Sequence, residues 1–341
     1  MSPRAKNGLL FAVKAIVAVA LITWLVRGGS LDFGKLRVLF DQPWLLALML
    51  AQFAIGVTVN GQRWRVLLRI AGVDISFMRM MQLQMMGLFF AVVIPGNVGG
   101  DVMKSLYVAR DASPEKRTSI FLVVFADRFL GLAGLVTIAT IITALRGPSL
   151  WNDPMLGKPA AVTALLAVGA LGGPALLLLA MRFGGAKLEA FVSGSSKIAK
   201  LLSQLVGALR LMSAQPARLI YALGLTMLTH ATAIGWFTIL TRAVTNQDAS
   251  FSALATIFPL GLLTIVIPIS PAGMGVGHVA FDKLFNAIGL TGGATVFNIY
   301  IIGQMVPCLS GVIPYLMMKR SGDLPTAAEQ TAQPATETSQ S

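Results

Sequence analysis

Long unbroken apolar runs, separated by short polar segments, set the pattern of this chain. Six of them, at residues 9–26, 43–60, 118–144, 159–181, 219–240 and 294–318, fall in or above the range of roughly 17–25 apolar residues that a helix uses to cross hydrocarbon. Each is expected to be a full transmembrane helix. The first also has features of a signal peptide, because Arg4 and Lys6 precede an apolar run containing Ala18-Val19-Ala20. That run continues through Trp24 to Val26 and five more follow, so it is read as an uncleaved span with Lys14 reaching back to the surface.

Two further apolar regions are interrupted. Residues 82–94 run into Pro95-Gly96-Asn97-Val98-Gly99-Gly100-Asp101, and residues 251–269 run into Pro268-Ile269-Ser270-Pro271-Ala272-Gly273-Met274-Gly275-Val276-Gly277. Proline removes a helix donor and glycine opens backbone turns closed to other residues. Each region is therefore expected to be a descending half-helix, a broken tip and an ascending half-helix. Such non-helical backbone survives at membrane depth only inside protein or beside a wet cavity. The alternative is an ordinary span with a kink.

Composition strengthens this picture. Of 341 residues, 55% are hydrophobic and 12% charged, against about 25% charged in an average soluble domain. Too little charge is present to coat a water-facing surface, which argues against soluble, disordered and disulfide-rich secreted classes. The single Cys308 permits no internal disulfide and no CxxC site.

The net charge of +13 would suggest nucleic acid in a soluble protein. In this one it reads as orientation. If the N-terminus is cytoplasmic and both broken regions are re-entrant, 17 of the 27 basic residues lie inside, six outside and four at membrane level. Full spans in place of the hairpins would move Arg110, Lys116 and Arg117 outside. The re-entrant arrangement fits the positive-inside rule better, with both termini cytoplasmic at a bacterial inner membrane.

The expected fold is an all-α polytopic membrane protein with six full spans plus two re-entrant broken-helix hairpins, eight hydrophobic segments in all. One transmembrane domain covers residues 1–320, in halves of about 1–146 and 159–320. Each half runs span, span, hairpin, span from opposite sides, an inverted repeat of the kind that places a transporter's central site where the broken segments meet. Residues 187–212 carry Ile198, Leu201, Leu202, Leu205 and Leu209 on one face, predicting an amphipathic helix on the inner surface. The tail 321–341 is rich in Thr, Ala, Gln, Glu and Pro and is expected to be disordered.

Ionisable groups inside a membrane cost about 2.5–3.5 kcal/mol each by insertion scales, so they mark candidate sites. The first set is Asn97, Gly99, Gly100, Asp101 and Lys104 at the first broken tip. Glycines before a helix N-terminus leave N–H groups free for phosphate, although Asp101 could equally cap the half-helix. Asp127 and Arg128 lie inside a span. Adjacent helical residues point apart, so each needs its own partner. Arg128 offers a planar fork for a phosphodiester or a structural pair, for instance with Asp101.

His278, Asp282 and Lys283 follow the second tip. His278 and Asp282, four residues apart, could form a proton-coupling pair or simply be satisfied polar residues at a helix entrance. His230, alone in a span, reads as a packing histidine. Two histidines and one cysteine leave no zinc site and no metal site is expected. The segment from Gly99 to Lys104-Ser105 lacks the glycine that a Walker A loop has before its lysine, which argues against ATP. GxSxG, HExxH and D-x-D are absent, so no catalytic residues are assigned and no cofactor is expected.

These motifs in order resemble the flippase-like, lysylphosphatidylglycerol synthase transmembrane-domain family, which includes UPF0104-type integral membrane proteins. Residues 82–110, with Ile94-Pro95-Gly96-Asn97-Val98-Gly99-Gly100-Asp101, resemble its (N)xxLPGxxGGDxxR signature. Asp127-Arg128-Phe129-Leu130-Gly131-Leu132 resembles DRxxGL, residues 271–281 resemble PxGxGxxE, and Arg63-Trp64 matches a basic-aromatic step after the second helix. Asp101, Asp127 and Arg128 carry over by position, with Lys104 as the basic residue after the first motif. The glutamate expected in the last element is His278 here, and Gly277 replaces the preceding basic residue.

The resemblance implies lipid translocation between leaflets, or an accessory role in envelope lipid or isoprenoid-glycolipid assembly. No soluble aminoacyltransferase domain is fused to this sequence, so lysyl-lipid synthesis is not expected. The leading expectation is a flippase for a phospholipid or isoprenoid-linked lipid. Its expected partner is a membrane lipid with an anionic or phosphate-bearing headgroup, not nucleic acid. The alternatives are a membrane-embedded transferase acting on a polyprenyl-phosphate lipid and a non-transporting accessory subunit.

Overall fold

A computed structural model describes residues 37–93, 99–152, 154, 156–192, 203, 206–207, 209–266 and 275–320, and every regular element among them is helical. In chain order these are α1 (Arg37–Asp41), α2 (Pro43–Ile70), α3 (Phe77–Val93), α4 (Gly99–Asp111), α5 (Pro114–Arg146), α6 (Pro148–Trp151), α7 (Gly157–Val192), α8 (Pro216–Thr245), α9 (Phe251–Val266), α10 (Val276–Ala287), α11 (Gly293–Cys308) and α12 (Val312–Arg320), the last two joined by a 3₁₀ turn at Leu309–Gly311.

Local punctuation explains the long helices. α2, α5 and α8 each open with proline, whose missing N–H would be an orphan in the first turn and whose φ already suits a helix. α5 stops at Gly147 (φ 64) and α8 at Asn246 (φ 53), left-handed positions that cannot continue a helix. Beyond α2 the chain turns back at Gly72, and the connection to α3 is held by α2 itself. Arg65 Nε donates to the Ile75 carbonyl at 2.7 Å and Arg69 Nε to Asp74 at 2.9 Å. That hydrogen bond from Arg69 holds the exposed Asp74 carboxyl below its usual range.

Among the described residues, five segments are long and apolar enough to cross a membrane: Pro43–Ile70, Lys116–Arg146, Ala160–Gly185, Pro216–Thr245 and Gly293–Met318. They coincide with the second to sixth expected spans; Pro43–Ile70 extends furthest beyond its apolar run, by a polar stretch that includes Arg63, Arg65 and Arg69. The first expected span, 9–26, and the tail 321–341 lie outside the described residues. Of the expected surface helix at 187–212, the first six residues instead extend α7, and most of the rest also lie outside the described residues. Only 11% of the apolar window in Ala160–Gly185 is buried, against 44% in Lys116–Arg146. α7 is thus peripheral, whereas α5 is central.

The interior divides into two apolar clusters at opposite ends of α2. Leu45 and Met49 join one cluster with Phe237, Phe258, Phe281, Phe285 and Phe297. Trp64 to Ala71 join the other with Met80, Leu83, Tyr107, Val108 and Ile120. Met49 and Trp64 are separated along α2 by about 22 Å at the usual helical rise. The short helices follow this division. Both α3 and α4 pack in the Trp64 cluster, and Arg79 near the start of α3 lies 3.7 Å from Asp111 at the end of α4, which brings those two ends together. Both α9 and α10 pack in the Phe237 cluster, and Gln247 just before α9 is hydrogen-bonded to Thr291 just beyond α10.

In lipid, helices are held by close packing and polar contacts more than by the hydrophobic effect. Glycines provide that closeness at the critical crossings. A Cβ on Gly100 would strike the Gly87 carbonyl, which lets α3 and α4 touch backbone to backbone. Gly311 lies in the same way against Met85 of α3. Here the 3₁₀ turn after Pro307 brings the chain against the first hairpin.

Candidate functional site

The Gly87–Gly100 crossing sets the position of the ionisable groups. Asp101 lies in the first turn of α4 and Lys104 one turn later, on the side facing α3. Asp101 Oδ1 accepts an ion pair from Lys104 Nζ at 2.9 Å, and its Oδ2 accepts another from Arg128 of α5 at 2.7 Å. Lys104 also donates to Gln84 Oε1 at 3.3 Å, and its ammonium lies 4.8 Å from the centre of the Trp64 ring. An ammonium with carboxylate, amide and aromatic partners is stabilised on several sides, which is how it can be 4% exposed.

A cavity of about 250 Å³ opens over this group, lined by Gln84, Gly87, Leu88, Ala91, Gly100, Asp101, Lys104 and Arg128. Two cations against one carboxylate leave its wall with a formal excess of one positive charge. Chemically the arrangement can receive an anion. Arg128, whose side chain is 44% exposed, can turn its fork towards a phosphate while Asp101 remains paired with Lys104.

Asp127 and Arg128 serve different neighbours, as their helical offset requires. Asp127 turns inwards, where Arg63 Nε donates to its Oδ1 at 2.7 Å. Arg63 Nη1 reaches Thr226 Oγ1 at 3.2 Å, so the pair ties α2, α5 and α8 together. Nearby, His230 Nε2 lies 3.1 Å from the Gly131 carbonyl, a helix-to-helix contact in keeping with a packing histidine.

The residues after the second tip are placed differently from the expected coupling pair. His278 Nδ1 accepts from the Gly275 N–H at 3.2 Å, and Nε2 lies 3.4 Å from Asn298 Oδ1. Its ring also stands edge-on to Phe297. These contacts draw the imidazole towards α11, while Asp282 and Lys283 are exposed. His278 and Asp282 are therefore not brought together as a pair, because burial selects Asn298 over the carboxylate one turn along α10.

Of the first candidate set, Asn97 lies outside the described residues. Gly99 begins α4, and Gly100 has a packing role as well as lining the cavity. Asp101, Lys104 and Arg128 converge, whereas Asp127 is one layer deeper. Arg63, Trp64, Gln84 and Asn298 complete these contacts and stand outside the candidate set read from the sequence. The basic-aromatic step at Arg63-Trp64 was the available signal for the first two. Gln84 and Asn298 had none, since a lone amide in an apolar run is unremarkable until its neighbour is known. Among the described residues, no three His, Cys, Asp or Glu side chains cluster as metal ligands would.

Comparison with known proteins places this arrangement in context. The family described as lysylphosphatidylglycerol synthase TM region matches residues 11–305. A UPF0104 membrane protein of Pyrococcus horikoshii is 26% identical over 132 residues, which is 38% of this chain and 38% of that relative's own length. The aligned part thus spans well under half of the relative. No solved structure matches this chain.

Proposed function

The chain belongs to the lysylphosphatidylglycerol synthase transmembrane-region family, and on that premise we propose that it is a lipid carrier that moves an anionic or phosphate-bearing headgroup between leaflets. The observation that supports this most is the Asp101–Lys104–Arg128 cluster beside a cavity of about 250 Å³ in a multi-pass membrane protein. Charges at this depth are costly to bury, so a retained cluster of them marks a candidate pathway.

The carrier is read as two inverted halves around the hairpins α3–α4 and α9–α10. Their packing at opposite ends of α2 supports entry from opposite faces of the bilayer, as alternating-access carriers built from inverted repeats require. The end bearing Arg65, Arg69, Arg79, Arg110 and Lys116 is assigned to the cytoplasm of a bacterial inner membrane by the positive-inside rule. On this reading the protein positions and releases lipid, with no covalent step.

Reconstitution in liposomes tests it. Vesicles containing fluorescent phosphatidylglycerol are treated with dithionite to report movement between leaflets. The wild-type protein should accelerate exchange, and Arg128→Ala and Asp101→Asn should abolish it at unchanged folded yield. Exchange equal to that of protein-free vesicles would refute the function.

A further inference from the structure

Among the described residues lining the cavity, Gln84 is the only uncharged polar side chain. It lies three residues before Gly87 on the same face of α3, where the missing Cβ lets α3 approach Gly100 and the stem of Lys104. On its other side the stem of Gln84 packs over Gly61 of α2, where an added Cβ would lie 3.5 Å from Gln84 Cγ. Held between α2 and α4, Gln84 is 8% exposed. Its Oε1 accepts from Lys104 Nζ at 3.3 Å. An ammonium has donors and no acceptor, so the carbonyl end of the amide faces Lys104 and the NH2 end faces away from it. Among the described residues Nε2 has no hydrogen-bond partner, yet it is not sealed off, unlike the unpartnered Trp64 Nε1 and Ser105 Oγ. In a buried side chain that lines the cavity, the open end is the cavity end.

The charged groups of the wall are already engaged with one another. Asp101 is paired with Lys104 at one oxygen and with Arg128 at the other. Lys104 is shared between Asp101, Gln84 and the face of Trp64. The Gln84 amide is the donor left over. It sits beside a cluster whose net charge is positive, which repels a cation and attracts an anion, so the acceptor it selects is anionic. We infer that Gln84 is a headgroup-contacting residue, whose Nε2 donates to a non-bridging oxygen of the lipid phosphodiester while Oε1 stays with Lys104. This deepens the carrier function proposed above and rests on it for the choice of a lipid. The contact requires none of the three charges to separate, and the grip of Gly61 and Lys104 on the two parts of the side chain aims the amide before the lipid arrives.

Binding of short-chain phosphatidylglycerol to the full-length protein in detergent is the test. The second probe is its phosphorothioate analogue, in which sulfur replaces one non-bridging oxygen. Sulfur is the weaker acceptor and the net charge is kept, so the ratio of the two affinities reads a hydrogen bond to that oxygen rather than general attraction. Wild type should bind one phosphorothioate diastereomer about tenfold less tightly than the phosphate, the loss of one hydrogen bond to a charged acceptor. Gln84→Met keeps the stem over Gly61 but has no donor. It should weaken phosphate binding by about the same factor and bring the ratio to about one. Gln84→Glu keeps an oxygen for Lys104 and also lacks the donor at neutral pH. Its ratio should collapse as well, and it carries the test if Gln84→Met is poorly folded.

Equal binding of both probes by wild type, or a ratio that survives Gln84→Met and Gln84→Glu, would overturn the contact. Glycerophosphoglycerol, the same phosphodiester without acyl chains, is the third probe. Competition at the concentration of the lipid would make the ligand a soluble phosphodiester and overturn the lipid assignment, whereas failure to compete supports it. If exchange in liposomes occurs but the ratio does not depend on Gln84, the contact fails and the carrier function stands. A Gln84-dependent ratio without exchange supports the contact and removes the carrier function.

Discussion

Arg63 donates from Nε to Asp127 Oδ1 at 2.7 Å across 64 residues of sequence, and both side chains are only 10% exposed. This pair is distinct from the cavity cluster next to it. One residue further along α5, Arg128 lines the cavity, so a single helical step separates a helix-joining carboxylate from a cavity-lining cation. The inner pair fixes the rotation of α5 and with it the direction of Arg128.

Removing one partner of the inner pair should be costly, because the other is left as a buried lone charge. Asp127→Asn is expected to lose about 3 kcal/mol, while Arg63→Met with Asp127→Leu should recover much of that. Thermal unfolding of the detergent-solubilised variants checks this. A stable Asp127→Asn protein would show that the pair contributes little to holding α2, α5 and α8.

Lys104→Met should separate charge from fold. The side chain keeps its contact with Trp64 but loses the ion pair to Asp101 and the hydrogen bond to Gln84. Lipid exchange is expected to fall at least tenfold, equivalent to about 1.4 kcal/mol, with wild-type gel-filtration behaviour. Exchange at the wild-type rate would remove Lys104 from the site.

The first hairpin depends on two backbones meeting. Gly100→Ala places a methyl against the Gly87 carbonyl and should cost roughly 1–3 kcal/mol through overpacking. Gly87→Ala meets the Gly100 carbonyl oxygen at 3.1 Å and should be milder. Melting temperatures of the two variants, compared with wild type, give the order directly.

Cysteine labelling tests the course of both hairpins. Cys308 is buried at 8% exposure and should remain silent. Asp74→Cys and Ala112→Cys, flanking α3–α4, should label from one side of sealed vesicles. Asp248→Cys and Thr291→Cys, flanking α9–α10, should label from the other. Labelling of Asp74→Cys and Ala112→Cys from different sides would make α3–α4 a crossing rather than a returning hairpin.

The Asp74 carboxyl gives a pH expectation with a definite sign. Its bond from Arg69 holds the folded-state pKa below the ordinary 3.8, so any stabilisation is present above that value and lost as pH falls through the folded pKa. Amide exchange in the turn at residues 71–76 should therefore be insensitive to this carboxyl between pH 8 and 5. A change in that range removed by Asp74→Asn would contradict the assignment.

The five spans among the described residues were legible in the sequence because that signal is local. Twenty apolar residues form a helix across a bilayer whatever surrounds them, whereas a proline by itself does not settle where a helix ends, since Pro174, Pro259 and Pro307 lie inside α7, α9 and α11. The candidate set was partly legible for the same reason. A charge in an apolar run is conspicuous, and Asp101, Lys104 and Arg128 were all conspicuous. The pairings were less so: Arg63 with Asp127 and Lys104 with Gln84 join separate helices, and no local pattern encodes them.

The sequence by itself determined that this is a polytopic helical membrane protein, where its long apolar helices run, and which few charges lie within it. The tertiary structure alone decided which of those charges meet. The Gly87–Gly100 contact brings α4 against α3, and the Arg63–Asp127 pair fixes how α5 is turned. Together they send Arg128 to Asp101 and the cavity, whereas contacts with α11 send His278 to Asn298 rather than Asp282. A helix fixes the angle between its own neighbouring side chains, but its rotation against another helix is set only by packing.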